Sequence, residues 1–168
     1  MSKEQMLILN SRQIKQKLVR MAHEIHEQHH KEKELILVGI HGRGMQMARR
    51  LCDLLAEVSE LSLKLEEISI HKEKPLSEDI QFSGELKSLK GKSVVLIDDV
   101  LNSGKTLMYA ARFLLDVDVK SLTTVTLVDR YHRKFPIRAD IVGLTLSTNL
   151  REHVSVDFTK GKEAVYLD

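Results

Sequence analysis

The sequence predicts an α/β fold, a three-layer sandwich with a mainly parallel central sheet, and three features carry that prediction. The apolar run 35–39 (Leu-Ile-Leu-Val-Gly) enters a glycine-rich turn and then a helical stripe. The run 94–97 (Val-Val-Leu-Ile) enters a small polar loop and then a second helical stripe. Segments 122–128 and 141–146 have the apolar and β-branched content of buried strands. Repeated strand–turn–helix units pack as parallel strands with helices on the sheet faces, and ligands then bind at the carboxyl ends of the strands. With 168 residues and no linker or repeat, the chain reads as a single domain over 1–168.

Taken in order, Asn10 with Gln13 three residues on marks a helix start, and Ile14, Leu18, Met21 and Ile25 form one stripe of that helix. His23, His26, His29 and His30 share it. Without a cysteine, and with Lys31 and Lys33 beside them, they read as a solvated basic face rather than a metal site. The turn 40–44 (Ile-His-Gly-Arg-Gly) is no dinucleotide fingerprint, because Met47 stands where the third glycine belongs. Met47, Leu51, Leu54 and Val58 stripe a second helix, with Cys52 in its core. Leu61, Leu63 and Leu65 alternate, then Ile68 and Ile70 take the opposite phase, which predicts a bulged strand or a hairpin. The polar segment 71–92 between two strands reads as a flexible lid, or hood, beside the site. Segments 154–156 and 164–167 are expected to close the sheet.

Bulk properties exclude several classes. Twenty-six basic against twenty-four acidic residues leave a net charge of +2, so a nucleic-acid partner would need a local basic patch. No stretch approaches the roughly 18 apolar residues of a membrane span, and the N-terminus lacks a signal-peptide core. One cysteine cannot form an internal disulfide, which fits a reducing cytoplasm.

The chemistry concentrates in 94–106. Asp98 and Asp99 follow the apolar run at its expected end, and Asn102, Ser103, Gly104, Lys105 and Thr106 then precede a helix striped by Leu107, Ala110, Ala111, Leu114 and Leu115. A helix N-terminus offers free N–H groups to a phosphate. Two carboxylates beside it would accept from sugar hydroxyls and attract a divalent cation. The nucleotide P-loop also ends Gly-Lys-Thr, but it needs a glycine where Asp99 stands. The segment therefore indicates a ribose-phosphate site.

Segment 94–106 resembles the phosphoribosyl-pyrophosphate (PRPP) signature of the type I phosphoribosyltransferases. Segments 18–25 (Leu-Val-Arg-Met-Ala-His-Glu-Ile), 36–44 and 127–140 extend the likeness over most of the chain. Within that family it is most similar to the bifunctional pyrimidine-operon attenuators that are also uracil phosphoribosyltransferases. The resemblance implies a type I fold with a small hood, and transfer of phosphoribose from PRPP to a nucleobase, uracil first. A purine phosphoribosyltransferase and a non-catalytic PRPP or nucleotide sensor are the alternatives.

The resemblance also implies residue roles. Asp98 and Asp99 hold the ribose hydroxyls and, directly or through water, Mg²⁺. Asn102, Ser103, Gly104, Lys105 and Thr106 wrap the 5′-phosphate. Ile40, His41, Gly42, Arg43 and Gly44 form the pyrophosphate loop, with a cis peptide expected at Ile40–His41 and Arg43 as a catalytic cation. Asp129, Arg130 and Leu150 border the base. Arg20, His23, His132, Arg133 and Arg138 sit where the attenuators contact a messenger-RNA leader, and a homo-oligomer, dimer or higher, is expected. Asn102 departs from the purine enzymes, which place there an aspartate that handles the base's ring proton. The hood is shorter than in the attenuators.

Overall fold

The computed structural model describes residues 4–168. Its elements are β1 (Met6–Leu9), α1 (Ser11–Gln28), β2 (Glu34–Ile40), α2 (Arg43–Val58), β3 (Ser62–Ser69) and β4 (Gln81–Phe82). They continue with a 3₁₀ turn (Leu86–Leu89), β5 (Ser93–Leu101), α3 (Lys105–Leu114), β6 (Ser121–Asp129), β7 (Ile141–Thr145), β8 (Val154–Asp157) and β9 (Ala164–Leu167). The main sheet has the order β4-β3-β2-β5-β6-β7, with every pairing parallel except β3 with β4. Helices α1 and α2 pack on one face around Met21, Ile25, Leu51 and Leu55. Helix α3 packs on the other through Leu107, Ala110 and Leu114.

This topology places the site. From β2 the chain crosses through α2 to β3; from β5 it crosses through α3 to β6, in the opposite direction across the sheet. The adjacent carboxyl ends of β2 and β5 are thus a switch point, where an open sheet leaves a crevice. The turn 40–44 and the loop 102–104 both emerge there.

Asn10 caps α1 as expected: its side chain accepts from Gln13 N at 2.9 Å and Gln13 Oε1 accepts from Asn10 N at 2.9 Å. This reciprocal pair satisfies two donors that helix geometry leaves free. Asn10→Ala is expected to lower stability by about 1 kcal/mol in a denaturant titration.

Several expectations change. Strand β3 pairs with β2 from Glu34↔Ser62 to Ile40↔Ile68 in unbroken register, so neither bulge nor hairpin lies within it. The phase change arises because both faces are covered: Leu61, Leu63 and Leu65 pack toward α1 and α2, while Ile68 and Ile70 pack toward α3. Strands β8 and β9 do not extend the main sheet; they form an antiparallel sheet β1-β9-β8 with the unanticipated β1. His29 is buried rather than solvated, its Nδ1 2.7 Å from Ile25 O. The segment 71–92 divides in two. Residues 71–79 are exposed apart from Pro75, whereas beyond them Leu89 is fully buried and Phe82 meets Phe113 edge-on, centroids 6.0 Å apart. No helix among the described residues is long and apolar enough to cross a membrane.

Glu163 ties the small sheet to the main body. It accepts from Ser11 Oγ on α1 at 2.6 Å and from Arg50 Nη2 on α2 at 2.9 Å. The Ser11 hydrogen bond, its own backbone N–H and Arg50 bring its pKa down from 4.5 to about 2. A depressed carboxylate pKa gives stability that is present above the unfolded value and lost as pH falls toward 2. Glu163→Gln is therefore expected to cost about 1–2 kcal/mol at pH 7, after solvent screening, with the deficit shrinking between pH 5 and pH 2 in thermal melts.

Candidate functional site

A cleft of about 220 Å³ opens at the switch point, and the acidic pair, the whole loop 102–106, Arg43 and Lys72 line it. Asp98 and Asp99 do not follow β5 but lie inside it, 5% and 6% exposed. A strand interior does not ordinarily hold two carboxylates, because burial penalises charge. Burial, then the neighbouring Asp99 carboxylate, hold the Asp98 carboxyl well above the usual carboxylate range, with Lys72 opposing. The Asp99 N–H donates to Asp98 Oδ1 at 2.9 Å. Thr126, paired in register with Asp98 on β6, also lines the cleft, and its buried hydroxyl has no partner among the described residues.

The N-terminus of α2 approaches this pair closely. A Cβ at Gly44 would stand 3.0 Å from Asp98 Oδ1 and 3.0 Å from Ile97 O, so only glycine lets the helix sit there unstrained. Every peptide among the described residues is trans, Ile40–His41 included, and the reversal falls on Gly42 at φ 88°. Glycine takes that conformation without the several kcal/mol of a non-proline cis bond. Ile40 is buried at the end of β2; His41 is exposed, its Nδ1 3.3 Å from Glu67.

The loop 102–104 hands over to α3 at Gly104, whose φ of 86° is left-handed. Ser103 Oγ accepts from Lys105 N at 3.3 Å, and Ser103 O accepts from Lys134 N at 2.8 Å. Lys105 Nζ donates to Glu73 O at 2.7 Å, tying the loop to the exposed part of the lid. The result is a helix N-terminus beside two carboxylates with cations facing them.

The other anticipated residues are spread more widely. Asp129 is buried and accepts from Tyr131 N at 2.9 Å and Arg133 Nη2 at 2.6 Å. Arg130 is buried too. Its Nη1 donates to Asn102 Oδ1 at 2.9 Å, its Nε to Thr148 Oγ1 at 3.2 Å, and its Nη2 to Glu152 O. It therefore braces the loop after β5 against the segment after β7. Leu150, 88% exposed, lines a separate pocket with His132 and not the cleft.

Of the basic residues anticipated at a nucleic-acid face, Arg20 bonds Glu24 and the Val142 and Gly143 carbonyls of β7. His23 is exposed on α1. Arg133 pairs with Asp129, its guanidinium 5.3 Å from the Tyr131 ring centre, and the His132 ring meets Thr148 O. Arg138 is 80% exposed and only 3.9 Å from Asp140. Three polar cleft residues escaped the sequence reading, Lys72, Thr126 and His153. Lys72 carries no motif and lies in a segment recognised only as polar; nothing flanking His153 marks it.

Among the described residues no three His, Cys, Asp or Glu side chains group as a metal site. Two buried carboxylates do not make an all-protein cage. They fit Mg²⁺, which keeps waters and takes one or two carboxylates plus substrate phosphate oxygens.

A phosphoribosyl transferase domain model matches residues 5–159. The bifunctional protein PyrR of Haemophilus ducreyi is 37% identical over 160 residues, 89% of this chain and 88% of that protein. Its namesake from Pelotomaculum thermopropionicum is 34% identical over 181 residues, covering 99% and 97%. Among solved structures, the hypoxanthine phosphoribosyltransferase of Trypanosoma cruzi superposes with a TM-score of 0.77 at 18% identity, covering 95% and 94%. A hypoxanthine-guanine phosphoribosyltransferase of Bacillus anthracis gives 0.70 at 22%, covering 86% and 85%. At such identities these two speak to the fold alone. The full-length relatives and the domain match speak to descent: the chain belongs to the phosphoribosyltransferase family.

Proposed function

We propose that this protein transfers the 5-phosphoribosyl group of PRPP to uracil, forming UMP and pyrophosphate, and that it also regulates pyrimidine genes by binding RNA. The observation that carries the first part is the buried Asp98–Asp99 pair leading into the loop 102–106 at the α3 N-terminus. The loop N–H groups with the Ser103 and Thr106 hydroxyls hold the 5′-phosphate. The two carboxylates accept from the ribose hydroxyls, and Arg43 and Lys72 face the pyrophosphate. Asp98 and Asp99, directly or through water, would hold Mg²⁺, which when bound would supply positive charge to the leaving pyrophosphate. As the base nitrogen bonds to C1, the C1–oxygen bond breaks and its electron pair leaves with pyrophosphate, while the ring nitrogen gives up its proton to the departing pyrophosphate or to water. Charge develops on the sugar, so the side chains position, stabilise and exclude water. The exposed lid 71–79, anchored by Lys105 to Glu73 O, serves that exclusion. Asp129 and Arg130 do not line the cleft themselves; Arg130 supports it by donating to Asn102 Oδ1.

Uracil is supported by the likeness to the PyrR proteins over most of the chain. Pyrophosphate release with PRPP, Mg²⁺ and each of uracil, hypoxanthine, guanine and xanthine tests it. Turnover fastest with uracil is expected; a purine preference would overturn the uracil assignment, and no turnover with any base would overturn the enzyme. The regulatory part rests on the word bifunctional in those relatives' names and on the exposed, weakly paired Arg138. Binding of a structured leader RNA that weakens steeply between two salt concentrations is expected. Absence of binding at low salt would remove that role.

A further inference from the structure

A buried hydroxyl without a partner lowers stability, because nothing inside the protein replaces the water it gave up. Thr126 carries such a group beside the cleft. It is 0% exposed, yet it lines the cleft, and its Oγ1 has no hydrogen-bond partner among the described residues. Thr124, two residues earlier on the same face of β6, shows the ordinary outcome. Its hydroxyl donates to Arg138 O at 2.7 Å and accepts from Asp140 N at 3.1 Å. Ser93 also has an unpartnered hydroxyl, but it begins β5, at the end of the strand away from the acidic pair.

The strand register says what stands beside Thr126. It pairs with Asp98 in the parallel ladder of β5 and β6, so the two side chains leave the same face of adjacent strands roughly 4.8 Å apart. Asp98 is itself underpaired. It is 5% exposed, and one protein hydrogen bond among the described residues reaches its carboxyl, from the Asp99 N–H at 2.9 Å. A carboxylate offers about four acceptor sites, and a buried one needs its donors. A hydroxyl that water does not touch is out of a ligand's reach as well. The polar group that the register brings to it is the Asp98 carboxyl.

We infer, resting on the phosphoribosyl reading above, that Thr126 is a positioning residue for PRPP. When the ribose hydroxyls engage the acidic pair, the Thr126 hydroxyl donates to the Asp98 carboxylate and fixes it toward the sugar. Loading the site thus pairs two groups that the empty protein leaves short of partners. Part of the binding comes from relief of a cost that the empty protein carries. Valine has nearly the shape of threonine and lacks the hydroxyl, so one substitution removes the cost and the contact together. The empty protein should become more stable and its hold on PRPP weaker.

Thermal melts without ligand, and calorimetric titration of PRPP with Mg²⁺, in wild type, Thr126→Val and Thr126→Ser test this. Thr126→Val is expected to melt about 2–4 °C higher than wild type and to bind PRPP about tenfold more weakly. Thr126→Ser keeps the hydroxyl and is expected to bind PRPP within about threefold of wild type, although the missing methyl lowers its melting temperature. PRPP affinity in Thr126→Val within twofold of wild type would overturn the inference, as would equal weakening in Thr126→Val and Thr126→Ser; either leaves PRPP binding standing. Thr126→Val melting below wild type would also overturn it, since the hydroxyl would then be paired in the empty protein. No PRPP binding by the wild-type chain would overturn the phosphoribosyl reading itself.

Discussion

Asp98→Asn is expected to melt at a higher temperature than the wild-type chain while losing activity by about a hundredfold to a thousandfold, the scale of removing one preorganised charged contact to a transition state. The two effects share one cause. A carboxyl that is 5% exposed and beside a second carboxylate gains nothing from folding when it is charged. Because its folded pKa is raised, its contribution favours the folded state below the unfolded pKa and is lost as pH rises through the folded one. Asparagine keeps an oxygen to accept from the Asp99 N–H and removes the charge. The gain should be about 1–2 kcal/mol at pH 8, or roughly 2–8 °C for a chain of this size. It should shrink as pH is lowered through 4 and disappear only below the ordinary value of 3.8, where the wild-type carboxyl is neutral in both states. Melting curves across that range, read beside kcat, check both halves.

Gly104→Val is expected to be the most damaging change in the phosphate loop. The residue sits at φ 86°, a left-handed conformation that a β-branched side chain resists, and a Cβ there would stand 2.8 Å from Ile137 Cγ2. Strain and overlap together should cost about 2–4 kcal/mol. Relief would have to come by shifting the loop away from segment 134–137, and that moves the N–H groups at the start of α3. PRPP affinity should fall about a hundredfold or more, since misplacement of about 1 Å carries that scale. Calorimetric PRPP binding measured on the folded fraction separates this loss from the loss of stability.

Much of this architecture was legible because the local signals agreed with the fold. The Asn10–Gln13 pair, the stripes of α1 and α2 and the run into 102–106 each fixed an element from its own residues. Where the reading slipped, tertiary context had overridden local preference. Aspartate is a poor strand residue, so Asp98 and Asp99 looked like the end of β5; the sheet instead carries them buried into the crevice. Alternation along β3 changed phase because helices cover both sheet faces, which one strand cannot disclose. Among the described residues strand β1 pairs with β9 alone, far along the chain, so nothing nearby announced it. His153 is held at the cleft by a different pairing, its backbone bonded to Asp168 just beyond β9.

Titration of PRPP with Mg²⁺ into the wild-type protein, set against ATP with Mg²⁺, tests the ribose-phosphate cleft most directly. Saturable PRPP binding, at least about tenfold tighter than ATP and lost in Gly104→Val, is the result this account predicts, since the aspartate at 99 displaces the glycine a nucleotide P-loop needs. ATP binding as tightly as PRPP, or PRPP binding unaffected by Gly104→Val, would contradict it.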